Sequence, residues 1–399
     1  MSVPFPVAVD SRHHWAYVGN LDGLSAAAVS TRHGSPTELD VPGLTGSIGV
    51  VEKTGLAYIP DAVESHVCAT VLRGSRRVTT ITGPACNETE DATVNPRTGL
   101  VYLDNVGTSE MDVIRGRHVV GTFRAGTTPG PGAVNPRTGL VYIPNRGSNT
   151  LTIVKKRHVI STIKLSGEPG AVAVDASRDL AYVTDLNDAV VTVIHGHSAR
   201  SMKAVTADST FGVAVNPLTH LTYVLGTTTV SVLAGTKVKR VITLTLGDED
   251  PSQAVVDPVN GLVYLIGEGN VIDVVRGTRI IQRIPTTTSR QKSAALDTGN
   301  GRLIVADGDG NAIEVLQGPG TPTIDLRRPT GHAVYRQGSH ADVAFRCTPG
   351  RRNPVRSCRG SQPSGHRLAT GRLGSHHFTV RLRSAYGPTV VKRVSYRVG

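Results

Sequence analysis

The sequence predicts an all-β chain, a β-propeller followed by a small β-sandwich, and two observations carry that prediction. The first is an aromatic residue set between apolar ones at Tyr17, Tyr58, Tyr102, Tyr142, Tyr182, Tyr223 and Tyr264, with Ile304 in the eighth place. The intervals are 41, 44, 40, 40, 41, 41 and 40 residues, and a recurrence of this length marks a propeller or a solenoid. The second is a change of character at the Gly318-Pro319-Gly320-Thr321-Pro322 linker, beyond which the chain is arginine-rich and alternates with a period of two. Composition agrees: 44 Gly and 23 Pro with only three Met describe short strands joined by tight turns, and no amphipathic helix stands out.

Each unit keeps one order: an apolar strand, a turn such as Asn95-Pro96-Arg97-Thr98-Gly99 or Asn135-Pro136-Arg137-Thr138-Gly139, the tyrosine strand, then two more strands. In the fifth unit the last two read Ala189-Val190-Val191-Thr192-Val193-Ile194 and Met202-Lys203-Ala204-Val205-Thr206. Four antiparallel strands per unit make a propeller blade. Residues 1–318 therefore read as an eight-repeat propeller of eight blades, with seven as the alternative count, and residues 319–399 as a second domain. Only seven fourth strands are clear, and the chain opens on a first strand. An uncovered sheet edge invites aggregation, so residues 321–326 or a segment upstream of Met1 are expected to cover the incomplete blade.

The segments Tyr182-Val183-Thr184-Asp185 and Tyr142-Ile143-Pro144-Asn145, with the Asn-Pro-x-Thr-Gly turns, resemble the YVTN-type β-propeller repeat of bacterial surface-layer and secreted proteins. The sixth and seventh units depart from it, with Gly226 and Gly267 in place of the terminal Asn or Asp. In the second domain, Gly374-Ser375-His376-His377-Phe378-Thr379-Val380 and Tyr396-Arg397-Val398 resemble the last strands of bacterial immunoglobulin-like modules, which act as spacers and adhesive units on exported proteins. The two resemblances imply an extracellular or cell-surface location, although Met1-Ser2-Val3-Pro4-Phe5-Pro6 carries neither the basic nor the apolar region of a signal peptide. No stretch approaches the ~18 apolar residues of a membrane-spanning helix.

The formal charge of +12 is unevenly placed: from Gly320 onward there are 15 Lys+Arg against two Asp+Glu, and before it 28 against 29. A basic block of this kind points to an anionic partner surface. Arg351, Arg352, Arg356 and Arg359 in the tail, with Lys155, Lys156 and Arg157 in the propeller, are the residues expected to dock on it. An acidic wall polymer ranks ahead of nucleic acid, because Tyr335, Phe345, Phe378, Tyr386 and Tyr396 occupy core or strand positions rather than interleaving with the arginines.

Alternating strands send alternate loops to opposite ends of a blade, which sorts the propeller's charges by face. The face we call the top receives the loops after the tyrosine strand and those between blades. It holds the candidate ligand-binding residues Asp61, Asp91, Asp104, Asn145, Asp185, Asp248, Glu249, Asp250, Asp307 and Asp309, joined by Glu64, Glu88, Glu90, Glu168, Asp188, Asp208 and Glu268. The opposite face receives hairpins carrying Arg73, Arg76, Arg77, Arg115, Arg117, Lys237, Lys239, Arg240, Arg276 and Arg279 besides Lys155, Lys156 and Arg157.

Other chemistry is weaker. The acidic Gly-containing loops at 247–251 and 307–311 suit Ca²⁺ in kind but lack EF-hand spacing, so no cofactor is expected. His13-His14, His195-Gly196-His197 and His376-His377 sit in or beside turns, where solvated imidazole is the ordinary state. Catalytic propellers converge acidic, amide or imidazole groups on the axis. Here the axial positions read Ala8, Val50, Thr93, Ala133, Ala173, Ala214, Val255 and Ala295, with Asp91, Gln253 and Ser293 the polar residues near the strand ends. A binding or scaffold role is favoured over the alternative, a lactonase-like hydrolase or lyase acting in the top funnel. Cys347 and Cys358 bracket a turn-rich loop in a domain with little core and are expected to form a disulfide. Cys68 and Cys86 leave a disulfide and buried free thiols both open.

Overall fold

The computed structural model describes residues 6–399 except 20–24, 34–35, 42–45, 64–65, 84–85, 197, 204–209, 245–250, 288–290, 308–312, 319–321, 351–352 and 386–388. It divides into two compact units, Met1–Pro258 with Leu262–Leu316, and Gln317–Gly399 with Val259–Gly261.

In the first unit Val7–Asp10, Trp15–Gly19, Ser25–Ser30 and Pro36–Asp40 form an antiparallel sheet in chain order. Six more four-stranded sheets begin at Gly49, Ala92, Ala133, Pro169, Gly212 and Gln253. An eighth has three described strands, Gln291–Asp297, Arg302–Asp307 and Ile313–Gln317. Each first strand packs beside the first strand of the next sheet, and Gln291–Asp297 packs beside Val7–Asp10, so the sheets close into a ring with their first strands innermost. This is a β-propeller.

The burial gradient explains the residue types. Second strands such as Leu56–Pro60 and Leu100–Asn105 are buried along their whole length, so they read as continuous apolar runs. Fourth strands such as His158–Lys164 alternate toward solvent. Small apolar clusters fill the gaps between neighbouring sheets, for example Tyr102, Met111 and Val113 against Val141, Ile143 and Val154.

Four of the tyrosines that set the period fasten their sheet to the next. Tyr58 Oη donates to Gly116 O at 2.7 Å, Tyr102 Oη to Lys156 O at 2.7 Å and Tyr223 Oη to Gly277 O at 2.8 Å, while Tyr17 Oη accepts from Gly74 N at 3.0 Å. In every case the partner is the hairpin between the third and fourth strands of the following sheet. The shared residue has a left-handed backbone, Gly74, Gly116 and Gly277 but also Lys156 at φ 58°. Burial pushes the hydroxyls of Tyr17, Tyr58, Tyr102 and Tyr223 up to about 12, so they remain protonated.

Of the two expected sources of an outer strand for the incomplete blade, residues 321–326 do not supply it. Thr323–Arg328 belongs to the second unit, where Ile324 pairs with Cys347. The first sheet draws all four strands from the chain's own start, and the seam is closed by packing and a polar knot. Ala16, Val18 and Val29 pack on Ile304 and Ala306. His14 Nδ1 lies 2.8 Å from Asp297 Oδ2, the Thr31 hydroxyl donates to the same oxygen, Asn300 Nδ2 donates to Thr31 Oγ1 at 3.1 Å and Thr298 N to Ser11 Oγ at 3.1 Å. His14 is therefore a seam residue rather than a solvated turn histidine.

The same device recurs where a polar residue replaces the left-handed turn glycine. Asp179 Oδ1 accepts from Asn135 Nδ2 at 2.6 Å, and His220 Nδ1 lies 3.2 Å from Asp175 Oδ1. His14, Asp179 and His220 each reach back to the first-turn Asx of the preceding sheet.

In the second unit, Thr323–Arg328 pairs with Ala344–Thr348. Val334–Tyr335, Val390–Val398, Gly374–Ser384 and Val355–Gly360 form a four-stranded sheet in that spatial order. One core of Ile324, Leu326, Val343, Leu368, Phe378, Val380, Leu382, Tyr396 and Val398 lies between the two layers. His376 is a strand residue stacked on Tyr396, with ring centroids 5.3 Å apart. Both cysteine pairs are disulfides. Cys347–Cys358 matches the expectation, and Cys68–Cys86 decides the open question in favour of a bond.

Candidate functional site

The top-face candidates are placed by the ends of the second strands. Asn145 and Asp185 are the last residues of their strands, Asp104 is the last but one of its strand and Asp61 follows one, and all four are buried. Their side chains tie down the neighbouring loops. Asp104 Oδ1 accepts the N–H groups of Glu90 and Asp91 at 3.0 and 2.6 Å, Asp61 Oδ1 accepts Val63 N at 2.9 Å, and Asp185 Oδ1 accepts Asn187 N at 3.1 Å. Asn145 Nδ2 donates to Thr150 Oγ1 at 3.0 Å and Thr152 Oγ1 at 2.9 Å. Each of these groups commits one side-chain atom to a bond inside the ring.

Asp91 and Asp104 form a buried carboxyl pair in the third sheet. Burial, then the nearby Glu90, push Asp91 up to about 6, against hydrogen bonding from Ser47 and the charge of Arg146. Burial first, and the Asp91 charge second, hold Asp104 well above the ordinary carboxylate range. Asp104 Oδ2 has no hydrogen-bond partner among the described residues. The first loop between sheets packs directly on this pair: Gly46 N donates to Glu90 O at 2.7 Å, and a Cβ at Gly46 would lie 2.8 Å from Asp91 Oδ1. The arrangement can hold a proton near neutral pH.

What remains open to solvent on the top face are Glu88, Glu90, Asp188 and Glu268, with Glu168 half-buried. Glu64, Asp208, Asp248, Glu249, Asp250 and Asp309 lie outside the described residues, as does the side chain of Asp307. At the axis, Ala8, Val50, Ala133, Ala173, Ala214, Val255 and Ala295 are half-buried while Thr93 is buried. Thr93 Oγ1 accepts Gly132 N at 2.7 Å, and Gln253 Oε1 accepts Ala294 N at 2.8 Å, so these polar axial groups stitch adjacent first strands together.

The hairpin face is different. Arg73, Arg76, Arg77, Arg115, Arg117, Lys155, Lys156, Arg157, Lys237, Lys239, Arg240, Arg276 and Arg279 are all exposed. The tyrosine bonds carry these hairpins to one end of the ring. In the second unit Arg356 and Arg359 are exposed, and Arg351 and Arg352 lie outside the described residues.

Sequence reasoning missed a column of buried polar residues in the third strands: Thr70, Asp112, Thr152, Thr192, Ser231 and Asp273. Asn105 Nδ2 reaches Asp112 at 3.2 Å as Asn145 reaches Thr152. The signal was present as one polar residue before the last apolar pair of these third strands. Among the described residues, the group of three potential metal ligands within mutual reach is Cys68, Cys86 and Asp112, whose two sulfurs are bonded to each other.

No family model matches the chain, and no curated protein matches it. Solved structures do. Hydrazine synthase of Kuenenia stuttgartiensis is similar over 80 % of this chain and 96 % of its own, at 14 % identity and a TM-score of 0.53. The WD40 β-propeller domain of Doa1 is similar over 79 % of this chain and 92 % of its own, at 12 % identity and a TM-score of 0.53. At these identities the likeness is one of fold.

Proposed function

We propose that the chain is a non-enzymatic binding or scaffold protein of the cell exterior. In this reading it is an eight-bladed propeller of the YVTN type joined to an immunoglobulin-like domain, with the boundary near residue 318. The basic hairpin face and the arginine-rich domain dock on an anionic envelope polymer, and the top face takes a ligand through its exposed acidic loops.

The observation that carries it is the fate of the charges. Most described acidic side chains of the ring that lie near backbone N–H groups are buried and spent on them, whereas the hairpin cations stand in solvent. Exposed charge of one sign raises the local concentration of the opposite sign and steers its approach. The two disulfides fit an oxidising compartment. The full chain applied to isolated cell-wall material should be retained at low salt and released as NaCl is raised past the range where surface charges are screened. Retention indifferent to salt, or no retention, would count against the reading.

The second reading, a hydrolase or lyase, rests on Asp91, whose carboxyl is pushed up to about 6 as a general acid's would be. Turnover of lactone substrates that Asp91→Asn abolishes would establish it.

A further inference from the structure

We propose that the outward face of the four-stranded sheet in the second unit is the surface that binds a linear phosphate-bearing polymer. The inference rests on the docking role proposed above and deepens it, moving the principal contact from the loop arginines and the ring hairpins to a built sheet face and naming the chemistry of the partner.

The pairing register decides which side chains share that face. Within Gly374–Ser384, Phe378, Val380 and Leu382 point into the core, so Thr379, Arg381 and Arg383 point out. Arg359 lies directly across from Arg381, and Ser357 across from Arg383. On the other side Thr379 faces Arg393, His377 faces Ser395 and Ser375 faces Arg397. Arg359, Arg381, Arg383, Arg393 and Arg397 are all exposed. They form an arginine-rich face with His377, whose Nδ1 lies 2.9 Å from Ser395 Oγ, and with the exposed Val391, which lies across from Arg381.

No acidic residue shares it. From Gly320 onward the chain has two, Asp325 and Asp342. Asp325 lies on the other layer, where its Oδ2 accepts from Arg327 Nε at 2.8 Å, and Asp342 lies outside the sheet, in a backbone β-bridge with Arg367. The two layers are thus treated differently: the Asp325 layer mixes both signs, and the four-stranded layer carries one.

Like charges directly opposite on a sheet are destabilising. Holding Arg359 against Arg381 with no carboxylate between them costs stability that a bound anion would return. Guanidinium groups take oxyanions by paired N–H donors. Neighbouring strands lie about 4.8 Å apart, and residues two apart on one strand about 7 Å apart, so one phosphate can accept from Arg359 and Arg381 together while the next meets Arg383 or Arg393. A phosphate has enough charged oxygens to bridge two arginines. Nucleic acid is disfavoured because Phe378 and Tyr396 are buried in the core and offer no stacking platform.

The test uses the full chain and linear inorganic polyphosphate, with poly-glutamate and single-stranded DNA as comparison polymers. Three variants are compared with the wild type: the sheet variant R381Q/R383Q/R393Q, the loop variant R351Q/R352Q and the hairpin variant K155Q/K156Q/R157Q. The sheet variant should lose on the order of 30-fold in polyphosphate affinity at ~0.15 M salt, with a shallower salt dependence, while the other two stay within a few-fold. Its thermal unfolding should be unchanged or higher, which separates lost contacts from lost fold. If the wild type binds but the loss falls on the loop or hairpin variant, the sheet-face inference fails alone. If the wild type binds none of the polymers, the docking role fails with it. Equal or tighter binding to poly-glutamate would overturn the phosphate assignment, and equal or tighter binding to single-stranded DNA would overturn the assignment to a phosphate polymer other than nucleic acid.

Discussion

The ring and the second unit handle charge in opposite ways. In the ring, Asp104 is consumed by two loop N–H groups, Asp297 by His14 and Thr31, and Asn145 by Thr150 and Thr152. In the second unit, Arg359, Arg381, Arg383, Arg393 and Arg397 share a sheet face without a carboxylate. A buried polar group must find a partner within the fold, so its presence reports on folding. Exposed charge of one sign has no such obligation, and its cost makes it the better pointer to a partner.

Five substitutions sharpen or break this contrast. The largest effect is expected at the ring seam. Asp297→Ala strips His14, Thr31 and the Gly299 N–H of their acceptor in a site without solvent, and should cost about 3 kcal/mol in denaturant unfolding. A loss under about 1 kcal/mol would mean that packing of Ala16 and Val18 on Ile304 closes the ring unaided.

The carboxyl pair comes next. Asp91 titrates at 3.8 when free and at about 6 in the fold. Because the folded value is the higher one, its contribution is complete below 3.8 and is lost as pH rises through about 6. Stability should therefore decline across that window. Asp104, whose carboxyl burial also holds above the ordinary range, adds to the decline, so Asp104→Asn, which keeps an oxygen for the Glu90 and Asp91 N–H groups, should flatten it and raise stability at pH 7.5. Chemical denaturation repeated at several pH values reads both effects, and a stability that rises through this window would contradict them.

The tyrosine pins give a built-in comparison. Tyr58→Phe removes a bond to Gly116 and should cost about 1 kcal/mol, whereas Tyr142→Phe, whose Oη has no hydrogen-bond partner among the described residues, should lie within about 0.5 kcal/mol of the parent. Equal losses in the two variants would show that the hydroxyl bonds do not fasten the sheets. The smallest effect belongs to the second unit: Arg381→Gln should raise stability by a few tenths of a kcal/mol, read as a small rise in melting temperature, by relieving its opposition to Arg359.

The period of the ring was legible because each tyrosine is itself buried, in a strand buried over most or all of its length, where residue type is tightly constrained. Strand order and the Cys347–Cys358 bond were legible for a related reason, since their determinants are local. What escaped depended on distant partners. His14 reads as a turn residue until Asp297, 283 positions away, is folded against it. Asp61, Asp104 and Asp185 read as surface carboxylates because nothing nearby in the chain announces that they are buried. Thr323–Arg328 alternates equally well as the last strand of a blade or the first strand of a new domain, and only its pairing with Ala344–Thr348 decides. Cys68 and Cys86 needed the packing of sheet and loop to meet.

The most direct test of the central claim is arginine-selective chemical footprinting of the full chain, read by mass spectrometry, with and without linear polyphosphate. Protection concentrated at Arg359, Arg381, Arg383 and Arg393, with Arg115, Arg117 and Arg157 on the ring hairpins still modified, is the predicted result. Protection confined to the ring hairpins, or none at all, would contradict it.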